Sequence, residues 1–259
     1  MSVRGQGIVV TGAGRGIGQA LATRMAAGGA RVVVNDIDAD NARRVAAEIG
    51  AHAIGGDAAS EEGVSALVSA AREHLGAIDI WFGNAGITRA GGLDTAEDDW
   101  AAVLEVNVLA HVRAARLLVP DWVERGGGRF VVTASAAGLL TMLGDLSYSV
   151  SKHGTVGFAE WLSATYRHRG VIVQAICPQG VKTSMLSGSG PLSTLLSHDT
   201  ALEPADVAET AWQALADDRF LILPHPEVAG YYAGRAAGPD RWLGGMNKLQ
   251  RRLEEGGLR

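Results

Sequence analysis

Seven short apolar runs punctuate the chain, and amphipathic stretches separate them. The runs are residues 7–11 (GIVVT), 31–35 (RVVVN), 52–56 (HAIGG), 78–83 (IDIWFG), 128–134 (GRFVVTA), 171–177 (VIVQAIC) and 220–223 (FLIL). Each is short and largely apolar, which predicts strands covered on both faces. The third run is the weakest. Between them, apolar residues recur at helical spacing over 15–27, 38–49, 61–75, 96–123, from Tyr148 to about 168, and over 204–216. Pro120 is expected to end or bend the long fourth helix. Strands alternating with helices form βαβ units, whose right-handed crossovers build a parallel sheet with helices on both faces. The expected architecture is therefore α/β, a single Rossmann-type doubly wound domain over residues 1–259. Two stretches break the alternation, residues 184–203 and the extension 224–259.

Composition narrows the function classes. The chain has 259 residues, of which 47% are hydrophobic, enough for a substantial core. A net charge of −5 argues against a nucleic-acid footprint. No apolar run reaches the roughly 18 residues of a membrane span. The single cysteine, Cys177, excludes an internal disulfide and suits a reducing compartment. The acid-free N-terminal segment faintly resembles a transit peptide, but a strand begins near residue 6, so a cytoplasmic protein is expected. No metal site is read.

The first strand runs into TGAGRGIG, residues 11–18. Its glycines, Gly12, Gly16 and Gly18, do not fit G-x-G-x-x-G, and with 35 glycines such a spacing arises by chance about 0.6 times. Position makes the signal stronger. Between a strand and a helix, the backbone must turn sharply and offer helix N-terminal amides to a pyrophosphate. Asp36 ends the second strand. A carboxylate there can accept bonds from both hydroxyls of an adenosine ribose and would repel a 2′-phosphate, whereas Arg15 would attract one. The balance favours NAD over NADP. Asp57, after the third strand, is read either as holding the adenine amino group or as capping the next helix.

Tyr148 and Lys152 stand four residues apart, on one face of the expected helix. With only three lysines and four tyrosines in the chain, chance gives this spacing about 0.05 times. A phenol beside an ammonium is a phenol easier to ionise, so Lys152 is expected to lower the pKa of Tyr148.

Taken together these residues resemble the short-chain dehydrogenase/reductase family, in its compact branch, over roughly residues 5–225. TGAGRGIG, with Gly12, Arg15, Gly16, Ile17 and Gly18, is similar to the family's cofactor loop. Gly83-Asn84-Ala85-Gly86 resembles its N-A-G motif. Asn107 within EVNVLA, Ser135 ending the fifth strand, Tyr148 and Lys152 match its catalytic residues. The resemblance implies that Tyr148 is the general acid and base, and that Lys152 lowers its pKa and bonds the nicotinamide ribose. It further implies that Ser135 orients the substrate oxygen and that Asn107 holds a water on a proton path. Pro178, Val181 and Thr183 match the nicotinamide-side loop, where Val181 and Thr183 would hold the carboxamide. Gln179 replaces the family's glycine; a glutamine resists positive φ, so the loop is expected to differ slightly, and Gln179 could also point into the substrate pocket. The family is commonly dimeric or tetrameric through the Asn107 and Tyr148 helices, so a homodimer or homotetramer is expected.

For the substrate, residues 184–203 fall where the family carries a lid, with Met185, Leu186, Leu192, Leu195 and Leu196 as an apolar cover. Leu139, Leu140, Met142 and Leu143 are expected on the opposite wall. Neither stretch holds a Lys or Arg, which implies a neutral, apolar secondary alcohol or its ketone. Two other readings stand beside an NAD-dependent alcohol dehydrogenase. One is an NADPH-dependent 3-oxoacyl-carrier reductase, against which Asp36 speaks. The other is a non-catalytic NAD-binding protein, which could dispense with Ser135, Tyr148 or Lys152. His111, His153 and Cys177 read as structural, and Trp100, Trp122, Trp161 and Trp212 as core or interface residues.

Overall fold

The computed structural model describes residues 3–187 and 201–255. Its strands are β1 (Gly7–Val10), β2 (Arg31–Asp36), β3 (His52–Gly55), β4 (Ile80–Gly83), β5 (Gly128–Thr133), β6 (Val171–Ile176) and β7 (Leu221–Ile222). They form one parallel sheet in the order β3-β2-β1-β4-β5-β6-β7. The helices are α1 (Gly16–Ala27), α2 (Ala39–Ile49), α3 (Glu61–Leu75), α4 (Glu97–Leu104), α5 (Ala110–Glu124), α6 (Leu146–Tyr166), the short α7 (Ser184–Ser187), α8 (Pro204–Ala214), α9 (Glu227–Ala237) and α10 (Pro239–Glu254).

The two-residue period of the strands divides the core in two. Ile8, Val10, Val32, Val34, Ile80, Phe82 and Val131 face one side, where they pack with Leu21 and Met25 of α1, Val45 of α2 and Val207 of α8. Val9, Val33, Trp81, Phe130 and Val132 face the other, against Leu67 of α3, Leu118 and Trp122 of α5 and Val156 of α6. Both faces are therefore dry, and continuous apolar runs were needed to make them so.

Because all strands are parallel, their C-terminal ends lie along one edge. The chain order reverses between β1 and β4, which opens a crevice there. The glycine loop, Asp36, the Asn84 loop, Ser135 and the Pro178 loop all emerge on this edge.

Three elements differ from their expected form. The helix expected over 96–123 is interrupted by a π-helical turn, Glu105–Leu109, centred on Asn107. It then runs through Pro120 to Glu124, so the proline does not end it. Pro120 lies on the exposed face, where water can satisfy the carbonyl left without a partner one turn earlier. Strand β4 starts at Ile80 rather than at residue 78. The carbonyl of Ile78 accepts instead from Trp122 Nε1 at 2.7 Å, and Asp79 Oδ2 accepts from the Gly7 amide at 2.7 Å. The last strand is only two residues long.

Candidate active site

The glycine loop folds tightly against the Asn84 loop. Gly12 has φ +60°, and a Cβ on it would lie 2.9 Å from Ala85 Cα. A Cβ on Gly18 would lie 2.2 Å from the Gly12 carbonyl oxygen. Asn84 Nδ2 donates to the carbonyls of Thr11 and Gly12 at 2.9 and 3.1 Å. Thr11 Oγ1 accepts from the amides of Asn84 and Ala85 at 3.0 and 3.1 Å. Helix α1 begins at Arg15 with no side-chain cap and no acid in its first turn. Its free amides face the crevice edge, which suits an anion such as a pyrophosphate. Gly16 and Ile17 start that helix, and Thr183 packs beside Gly16 from across the crevice.

Asp36 Oδ2 accepts from the Gly14 amide at 2.9 Å, and its Oδ1 from the Asp38 amide at 3.0 Å. Each oxygen keeps a lone pair for a ribose hydroxyl. The hydrogen bond from the Asn41 amide holds the Asp38 carboxyl below its usual range, and the exposed Arg15 adds to this, so its charge is felt at this corner. Gly14 and Arg44 belong to the same corner and were missed from sequence. A side chain on Gly14 would collide with Asp36, and Arg44 Nη2 donates to the Gly14 carbonyl at 2.9 Å. Nothing local in α2 marks Arg44. Asp57 accepts from the amides of Ala59 and Ser60 at 2.8 and 3.0 Å, which holds the turn into α3; Ser60, not Asp57, caps the helix. Hydrogen bonds from Ser60 and Ala59 keep the Asp57 carboxyl below its usual range even though burial opposes them. These residues therefore fit a dinucleotide, with a close-packed glycine cradle, uncapped amides and a carboxylate at the end of β2.

Across the crevice, Asp145 caps α6, and its Oδ1 accepts from the Tyr148 amide at 3.0 Å. Thr88 Oγ1 donates to the other oxygen of this buried carboxylate. Tyr148 and Lys152 then fall on one helix face, with Lys152 Nζ 5.5 Å from the Tyr148 ring centroid. Nζ donates to the Thr133 carbonyl at 2.8 Å, and Lys152 is buried. Ser135 Oγ accepts from the Ala137 amide at 3.1 Å and is close enough to Tyr148 to favour its phenolate. Ser135, Tyr148 and Lys152 thus converge, as expected from the sequence.

Their electrostatics depart from expectation. Lys152 does not bring the Tyr148 phenol down in the protein alone. Burial pushes it up to about 12, and the hydrogen bond from Ser135 only partly opposes this. Burial also pulls Lys152 down to about 8. Desolvation is the largest influence on each group, and it opposes the charged form of both. His111 is buried with its pKa held down to about 3, so it is neutral and structural. Burial likewise raises Cys177 to about 12, which leaves an inert thiol.

Asn107 is fully buried, and its amide is committed. Nδ2 donates to the Ile87 carbonyl at 2.9 Å and to Ser151 Oγ at 3.0 Å, and Oδ1 accepts from the Ile87 amide at 2.9 Å. The contacts seen directly tie the Gly86 loop to the Tyr–Lys helix. A Cβ on Gly86 would approach Asn107 Oδ1 to 3.3 Å and Lys152 Nζ to 3.5 Å.

On the substrate side, Leu140, expected on the pocket wall, is buried. The 3₁₀ turn Ala136–Gly138 draws the chain inward, and Leu139 and Leu140 join the main cluster. Met142 and Leu143 stay half-buried at the opening, Met185 is exposed and Leu186 half-buried. Leu192, Leu195 and Leu196 lie outside the described residues. Pro178 and Val181 are buried, with Thr183 beside them. Gln179 is accommodated without positive φ. Its side-chain Oε1 is buried with no hydrogen-bond partner.

Comparison with known proteins agrees with the fold. The family model described as short chain dehydrogenase matches residues 6–191. A 1-deoxy-11-beta-hydroxypentalenate dehydrogenase of Streptomyces exfoliatus is 37% identical over 238 residues, which cover 88% of this chain and 86% of the relative. A cyclohexanol dehydrogenase of an Acinetobacter species is 32% identical, over 83% of this chain and 89% of the relative. A crystal structure of a short chain dehydrogenase/reductase from Burkholderia phymatum in complex with NAD superposes with a TM-score of 0.83 at 29% identity, covering 93% of this chain and 96% of the other.

Proposed function

The chain belongs to the short-chain dehydrogenase/reductase family, and from that premise we propose that it interconverts a neutral, apolar secondary alcohol and its ketone with NAD(H). The observation that carries this reading is the convergence of Ser135, Tyr148 and Lys152 beside a glycine cradle that ends at Asp36. The relatives named for hydroxypentalenate and cyclohexanol support the alcohol class. The absence of Lys and Arg from residues 136–147 supports an uncharged substrate.

When bound, the nicotinamide supplies the hydride chemistry. The chain's own residues handle the proton and the geometry. Tyr148, held protonated by its burial, is loaded to give its proton to a ketone oxygen. For oxidation it must be brought down by several pH units, and the Lys152 ammonium contributes to that. Ser135 bonds the substrate oxygen and orients it toward Tyr148. Gly12, Gly16, Gly18 and the α1 amides hold the pyrophosphate, and Asp36 holds the adenosine ribose in preference to a 2′-phosphate. Asn84, Ala85 and Gly86 shape the floor, and the Pro178, Val181 and Thr183 loop faces the carboxamide. Asn107 holds Ser151 and the Gly86 loop in register with Lys152.

Among the described residues no helix is long and apolar enough to cross a membrane. A cytoplasmic homodimer or homotetramer is the assembly proposed. The exposed Leu109, Val150 and Trp161 on the Asn107 and Tyr148 helices support it. A panel of cyclic and acyclic secondary alcohols with NAD and NADP, followed by absorbance of the reduced cofactor, tests the function. Turnover of apolar alcohols with NAD is expected. Activity confined to NADPH and 3-oxoacyl thioesters would replace this reading with a carrier reductase, and no turnover of any carbonyl would leave a non-catalytic binder.

A further inference from the structure

The segment after β7 touches the chain around the active site at two points. His225 is buried, and its Nδ1 accepts a hydrogen bond from the Gln179 amide at 3.2 Å. Further along, Arg235 of α9 donates through Nη1 to the Leu139 carbonyl, and that nitrogen lies 3.2 Å from His153 Nε2. Between these contacts Val228 is fully buried, and its amide donates to the His225 carbonyl at 3.2 Å, which anchors the start of α9.

The contact at Gln179 bears on the chemistry because of what shares its peptide plane. The Pro178 carbonyl belongs to the same peptide group as the Gln179 amide. That carbonyl accepts from the Ala136 amide at 2.8 Å and from Ser135 Oγ at 3.4 Å. One rigid peptide is thus gripped from both sides, by Ser135 and Ala136 at its oxygen and by His225 at its nitrogen. It cannot rotate without losing both grips. An imidazole that accepts at Nδ1 carries its proton on Nε2, so the geometry also specifies the tautomer.

We propose that His225 is a positioning residue of the active site, which sets the Ser135 hydroxyl and the entry to the nicotinamide-side loop by fixing the Pro178–Gln179 peptide. Arg235 is the second arm of the same brace and holds the chain that follows Ser135. The inference rests on the oxidoreductase reading for its catalytic consequence, but the brace itself exists without cofactor.

Two isosteric replacements separate this role from mere packing. In His225→Asn the side-chain oxygen takes the place of Nδ1 and can accept from Gln179. In His225→Gln the oxygen reaches the place of Nε2 and cannot. Amide exchange over residues 177–187 in the cofactor-free protein, NADH affinity by fluorescence, and kcat and KM for an alcohol are measured on both. His225→Asn should stay within about threefold of wild type in every readout. His225→Gln should exchange about tenfold faster over 177–187 alone and lose about tenfold in kcat, with NADH affinity changed less than threefold. The proposal is overturned if the two variants behave alike, or if exchange rises evenly across the sheet. A wild type that binds no NADH would instead overturn the oxidoreductase reading, while the exchange comparison still decides the brace.

Discussion

Replacing Lys152 with Met should stabilise the fold and disable the site in one step. Lys152 is 3% exposed, and burial pulls its ammonium from 10.5 to about 8. The unfolded chain keeps this proton up to about pH 10.5, whereas the native chain releases it near 8. In that window the unfolded state binds more protons, so native stability rises with pH, and below 8 the native state carries the whole cost. A depression of about 2.5 pH units corresponds to about 3 kcal/mol. Methionine removes that cost but leaves the Thr133 carbonyl without the Nζ donor that lies 2.8 Å from it, a loss of about 1 kcal/mol. The net gain at neutral pH is about 2 kcal/mol, or roughly 4–8 °C in Tm for a domain of this size. The advantage should shrink above pH 8, vanish near about 9.5 and reverse by about 10.5. Activity should move the other way. The ammonium lies 5.5 Å from the Tyr148 ring centroid. At an effective dielectric of about 20 it favours the phenolate by about 3 kcal/mol, so its removal should slow alcohol oxidation by roughly 100-fold. Thermal unfolding of cofactor-free protein at several pH values between about 6.5 and 10, with steady-state oxidation alongside, checks both halves. A methionine variant no more stable than wild type at pH 7 would refute the desolvation argument. One that kept its oxidation rate would refute the role of the ammonium.

Three further outcomes are expected. Tyr148→Phe should cut turnover by more than tenfold, at least about 1.4 kcal/mol, with NADH affinity nearly unchanged, because it removes only the transferable proton; steady-state kinetics and fluorescence titration read the two parts. Asp36→Ala should shift the kcat/KM preference toward NADP by about 10–100-fold, since it removes the ribose acceptor and leaves Arg15 and Arg44 beside the site. A wild type that already prefers NADP would contradict the assignment of Asp36. Gly18→Ala would place a Cβ 2.2 Å from the Gly12 carbonyl oxygen and 2.5 Å from Asn84 Nδ2. It should cost about 1–3 kcal/mol in unfolding experiments and weaken NADH binding, and unchanged values of both would show that the loop is looser than described.

The strands, the glycine turn and the Tyr–Lys pair were legible in the sequence because each depends on local residue type and spacing. Continuous apolar runs at Ile8–Val10 and Val131–Val132 can only be buried on both faces, and a four-residue spacing can only share a helix face. The folded chain alone decided the features that depend on partners far along the sequence. The π turn at Asn107 exists where its amide meets Ile87 and Ser151, 20 and 44 residues away. Leu139 and Leu140 joined the buried cluster beyond a 3₁₀ turn that no local pattern announces. Arg44 and Gly14 joined the Asp36 corner through a crossover that no local pattern announces. The phenol of Tyr148 rose to about 12 because desolvation depends on how the whole cleft closes around it, and the spacing to Lys152 carries no information about that. Likewise His225 reaches Gln179 across 46 residues, because β6 and β7 are neighbours in the sheet and bring their C-terminal ends to the same edge.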